Sequence, residues 1–177
     1  MNGIVKAKNL RCSKTRLMVL TGLLFAMAVV LSIVENALPP FPIPVPGIKL
    51  GLSNIAVMYA LFFLGKGRAM MIAALKAAFV FMIKGGIAGT LSLSGGLASL
   101  AVMILLTYLF AGRISYLILS VMGAIFHNAG QFMVVSFVFT ELFLWGFLPV
   151  LLLAGAVAGV FTSILLKSIM PALKRLV

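Results

Sequence analysis

The chain has 177 residues, 64% of them hydrophobic and 9% charged, with a mean hydropathy of +1.29. A soluble domain carries roughly 25% charged residues, so this composition excludes an ordinary soluble fold and defines an integral membrane protein with no separate soluble domain. The formal charge of +12 is no argument for a nucleic-acid groove. The basic residues stand in short clusters between apolar runs, which is the pattern of topology signals.

The first 16 residues form a basic leader with Lys6, Lys8, Arg11, Lys14 and Arg16. The sole cysteine, Cys12, lies within it, so no intrachain disulfide can form. The apolar run behind the leader resembles a secretory signal, with Ala26-Met27-Ala28 as a cleavage site. It continues unbroken from Leu17 to Val34, however, and is read as an uncleaved first span. Within it Gly22 and Ala26 form a small-xxx-small pair that permits close helix contact.

The stretch from Val34 to Asn54, VENALPPFPIPVPGIKLGLSN, holds Pro39, Pro40, Pro42, Pro44 and Pro46. Proline fixes φ and removes a backbone donor, and it pushes the preceding residue towards extended geometry. A stiff, extended connector follows, either an ordered cap over a site at the membrane face or a rigid turn between two spans. Span two is predicted over Leu50 to Leu64 and span three over Ala69 to Ile83, joined by the basic turn Gly65-Lys66-Gly67-Arg68. Each is about 15 residues, or ~22 Å, short for a bilayer. Lys84-Gly85-Gly86 and the small-residue run Gly89 to Gly96 predict a loop, followed by span four over Leu97 to Ala111. After Gly112-Arg113, span five covers Ser115 to Phe139 and span six Leu142 to Leu166, with Trp145 as an interfacial anchor.

The expected fold is therefore all-α: a six-transmembrane-helix bundle forming one membrane domain over residues 17–170, between the leader 1–16 and a basic tail 171–177. Eleven of the fourteen basic residues fall on the side of the termini. Only Lys49 and Lys84 fall opposite, and Lys76 lies inside span three. That bias predicts cytoplasmic termini in a multi-pass protein of the plasma membrane, with Glu35, Glu141 and the proline stretch outside.

Polar groups inside apolar spans are costly and therefore informative. His127, Asn128 and Gln131 share a sector of span five. Lys76 lies ~11 Å from either end of its span, further than a lysine stem comfortably snorkels. With Asn36, Lys49, Ser53, Asn54, Lys84, Ser92 and Ser94 these form a set weighted to the outer half, while Thr107, Tyr108, Thr162 and Ser163 occupy the inner half. The expectation is an outward-opening cavity whose basic excess favours an anionic ligand. The competing expectation is structural, with interhelical hydrogen bonding for His127, Asn128 and Gln131 and headgroup anchoring for Lys49 and Lys84.

The residues for autonomous catalysis are missing. Diphosphate chemistry uses carboxylate-held Mg²⁺, and this chain has Glu35 and Glu141 but no aspartate. One histidine and a distant cysteine make neither a zinc site nor a Cys-His pair, and there is no Walker loop. No cofactor is expected.

The six short spans, the outer connector, PGIKLGLSN (Pro46 to Asn54) and GTLSLSGGLASL (Gly89 to Leu100) resemble the "Gx transporter" membrane family, whose members often carry the name heptaprenyl diphosphate synthase component I. The layout is also similar to substrate-binding S components of energy-coupling-factor (ECF) transporters. That similarity implies capture of a small vitamin or precursor from outside, and docking through helix one to a shared transmembrane subunit with two ATPases. The family's docking surface is an Ala-xxx-Ala pattern, matched here by Gly22-xxx-Ala26. The ligand-binding set is then Asn36, Lys49, Ser53, Asn54, Lys76, Lys84, Ser94, His127, Asn128 and Gln131. The alternative is a non-catalytic membrane accessory subunit of a heptaprenyl diphosphate synthase, and a third reading is a self-sufficient small transporter.

Overall fold

The computed structural model describes residues 14–37, 51–110, 113–138 and 144–174. They form six helices: α1 (Lys14–Ala37), α2 (Asn54–Phe63), α3 (Lys66–Lys84), α4 (Gly86–Leu109), α5 (Tyr116–Val138) and α6 (Leu148–Lys174). A 3-10 turn, Leu144–Phe147, precedes α6. The leader with Cys12, most of the proline stretch with Lys49, and Glu141 lie outside the described residues.

The protein is an all-helical membrane protein. The segments Lys14–Glu35, Gly86–Leu109, Tyr116–Val138 and Leu148–Pro171 are long and apolar enough to cross a bilayer. The other two helices depart from that rule for separate reasons. α3 has the length, with 19 residues, but it carries Lys66, Arg68, Lys76 and Lys84. α2 has ten residues and reaches only ~15 Å, about half of the ~30 Å hydrocarbon core.

α2 is the centre of the bundle. It packs against α1, α3, α4 and α6, and Ile55 through Phe62 are all buried, as a helix that is apolar on every side requires. One end of the bundle holds the larger core, built from Leu24 on α1, Tyr59 on α2, Ile72 on α3, Met103 on α4, Leu119 on α5 and Leu166 on α6. The opposite end holds a smaller cluster of Phe132, Val135 and Leu151. There the half-embedded Trp145, 68% exposed, meets Phe132 edge-on at 5.4 Å, an arrangement suited to an aromatic anchor.

The glycine-rich run Gly89 to Gly96 is not a loop: it lies inside α4, which begins at Gly86. The break between α3 and α4 is the single residue Gly85, whose φ of 86° only glycine adopts without strain. The glycines read as breakers serve instead to bring helices together. A Cβ on Gly89 would lie 2.6 Å from Phe81 Cβ, and one on Gly95 would lie 2.8 Å from the His127 carbonyl oxygen. A bilayer enforces the helix, because unpaired backbone groups cannot be left facing lipid.

Within the bundle a different small-xxx-small pair does the packing. Gly22 and Ala26 lie on the exposed face of α1, and nothing stands within 4 Å of a Cβ built on Gly22. The close approach is made by Gly155 and Gly159 of α6, which meet the backbone of α5 at Ile125 and Val121.

Candidate functional site

Polar side chains form a layer across the middle of the bundle. α2 starts at mid-depth, so its first residues meet the centres of α3, α4 and α6 rather than the membrane surface. Lys76, 3% exposed, donates from Nζ to Ser53 Oγ at 3.0 Å and to Asn54 Oδ1 at 3.3 Å. Glu35, near the end of α1, accepts the backbone N–H of Gly51. The Gly51 and Leu52 carbonyls then accept from the N–H groups of Asn54 and Ile55, a turn that feeds the chain into α2. An ammonium at mid-membrane costs about 2.5–3.5 kcal/mol on insertion scales, so these acceptors are needed to hold it there.

Behind Asn54 lies a small space of about 10 Å³, touched by Asn54, Ser99, Ser120 and Thr162 from four different helices. That is the size of one water. Ser120 and Thr162 share a 2.6 Å hydrogen bond, and Thr162 also donates to the Gly159 carbonyl at 3.0 Å. Asn54 Nδ2 and Ser99 Oγ have no hydrogen-bond partner among the described residues, and a water here would satisfy both.

His127, Asn128 and Gln131 are all buried, but they do not form one wall. His127 and Gln131 turn to α4, where their side chains pack over Gly95 and lie 3.3 Å apart, Nε2 to Nε2. Asn128 turns to α6, where its Nδ2 donates to the Leu151 carbonyl at 3.2 Å. Adjacent residues on a helix differ by about 100°, so a sector that looks continuous in sequence is divided between two neighbours. Ser94 donates to its own helix at Leu91. Lys84 is exposed at the end of α3, away from Lys76. Asn36 belongs to α1, its side chain lying outside the described residues together with Lys49. Among the described residues the structure thus unites Lys76, Ser53 and Asn54 and leaves Lys84, Ser94, His127, Asn128 and Gln131 apart from them.

Ser99 and Ser120 carry no signal in the sequence, because one hydroxyl within an apolar helix has no periodicity, and Thr162, expected in the inner half, belongs to this middle layer. Among the described residues no three His, Cys, Asp or Glu side chains come together to hold a metal.

These features define a helical membrane protein with a polar middle layer. A family described as "Heptaprenyl diphosphate synthase component I" matches residues 24–169, and the chain belongs to that family. No curated protein and no solved structure matches it.

Proposed function

We propose that the chain is the membrane-embedded, non-catalytic component of a heptaprenyl diphosphate synthase, working with a separate subunit that supplies the Mg²⁺-binding carboxylates. The family match over residues 24–169 carries this reading. The absence of any aspartate from the sequence explains why a partner must perform the chemistry. A long prenyl diphosphate has an apolar chain and an anionic head, so a membrane subunit gives its synthase a place to release or retain that product. The tagged protein, purified from its native membranes, is expected to carry a soluble prenyl diphosphate synthase with it and to raise that enzyme's turnover or product length. Purification without any such enzyme, and no effect on one supplied separately, overturns the proposal.

The orientation follows from the charges. Lys14 and Arg16 on α1, Lys66 and Arg68 on α3, and Lys167 on α6 lie towards the ends that share the larger core. The positive-inside rule puts this end in the cytoplasm. On this reading the chain crosses six times, and the ten-residue α2 lies within the second crossing. Cys12 reports on this arrangement. A membrane-impermeant maleimide is expected to label it in inverted vesicles and not in intact cells, and the reverse pattern overturns the topology.

A second reading, the substrate-binding subunit of an ECF-type importer, is favoured by one observation: a buried cation, Lys76, beside the mid-membrane start of α2. Half-length helices often direct their N-termini at anionic substrates in transporters. Thermal-shift screening against flavins, other vitamins, quinone precursors and prenyl diphosphates separates the two readings. A vitamin that stabilises the wild type and not Lys76→Met supports import.

A further inference from the structure

Between α3 and α4 lies a furrow of about 550 Å³, open along its length and within the roughly 300–1,000 Å³ typical of small-molecule sites. Leu100, 1% exposed, forms its floor. Leu97 and Ala101 stand one turn apart on α4, and Met70 faces them from α3. Ala101 is the short side chain in that row, and it deepens the furrow at its middle. The polar contribution is confined to one end, where Lys66 at the start of α3 and Tyr108 at the end of α4 meet. No acidic residue stands in the first turn of α3 or in the last turn of α4.

An apolar trough closed by a cation at one end is complementary to a hydrocarbon chain ending in an anion. Leu97 to Tyr108 spans about 16 Å of helix, and a single furrow between two helices seats one chain. A two-chain glycerolipid would leave its second chain outside. We propose that the furrow between α3 and α4 binds a single-chain polyprenyl diphosphate, with the chain over Leu97, Leu100 and Ala101 and the diphosphate at Lys66. The isoprenoid class rests on the reading of the protein as a synthase component; the furrow and its charged end do not depend on that reading.

The test uses the full chain in detergent micelles, titrated with geranylgeranyl diphosphate, geranylgeraniol or phosphatidylglycerol and read by native mass spectrometry. Geranylgeranyl diphosphate is expected to bind one to one. Ala101→Trp, which fills the furrow, weakens both isoprenoids by about tenfold or more, whereas Lys66→Glu weakens the diphosphate by about tenfold and leaves the alcohol nearly unchanged. Both positions are exposed, so the variants retain the fold, and size-exclusion profiles check this. Absence of binding to the wild type, insensitivity to Ala101→Trp, or equal competition by phosphatidylglycerol overturns the proposal. No synthase is present in this experiment. Its failure leaves the synthase-component reading to be judged by co-purification, and failed co-purification leaves a binding result intact.

Discussion

Ser53→Ala combined with Asn54→Leu is expected to destabilise the protein by about 1–3 kcal/mol or more, the range for leaving a buried polar group short of hydrogen bonds. Two acceptors of Lys76 Nζ, at 3.0 and 3.3 Å, disappear together, and the buried ammonium at mid-membrane is left short of hydrogen bonds. Adding Lys76→Met removes the charge that had relied on these acceptors and keeps most of the stem's volume. The triple variant is therefore expected to recover most of the lost stability, and the difference between double and triple variants measures the coupling. Thermal or denaturant unfolding in one detergent provides the comparison. If Lys76→Met gives no recovery, the ammonium is not held by this pair of acceptors, and the polar layer has been wrongly built.

The other large effect is expected at Gly159→Ala. The added Cβ would lie 2.4 Å from the Val121 Cα and 3.0 Å from the Ser120 carbonyl oxygen. These are backbone atoms with no rotamer to yield, so α5 and α6 must separate. Overpacking of this kind costs about 1–3 kcal/mol or more, and the 2.6 Å bond between Ser120 and Thr162 is strained by the same movement. Gly22→Ala is the matched control. Its Cβ meets nothing, and alanine is the better helix former by about 1 kcal/mol, so its unfolding midpoint stays the same or rises. Equal losses at the two positions would remove the case for contact between α6 and α5 through Gly159.

The long apolar helices were legible in the sequence. Span five, expected from Ser115 to Phe139, is α5 over Tyr116–Val138, because an uninterrupted apolar run bounded by turn residues has few other fates in lipid. α4 was cut short in the sequence reading because Gly89, Gly95 and Gly96 resemble loop residues. The fit of Gly89 against Phe81 and of Gly95 against His127 and Gln131 depends on neighbouring helices that no local pattern reveals. Lys76 stood out by its position alone, and Ser53 and Asn54 belonged to the same expected set. Their pairing with it, across 23 and 22 residues, depends on α2 being short enough to begin at mid-depth. The division of His127 and Gln131 from Asn128 likewise needed the placement of α4 and α6 on either side of α5.

The brevity of α2 also bears on how the protein is made. A ten-residue apolar helix is too short to leave the insertion machinery as a stable crossing of its own, and an isolated helix of that length is marginal. Its residues from Ile55 to Phe62 find shelter only once flanking segments surround them. α2 must therefore wait at the translocation channel or at the lipid boundary until later parts of the chain emerge. Biogenesis of this protein is thus a concerted event after most of the chain has been synthesised, rather than a helix-by-helix release into the bilayer.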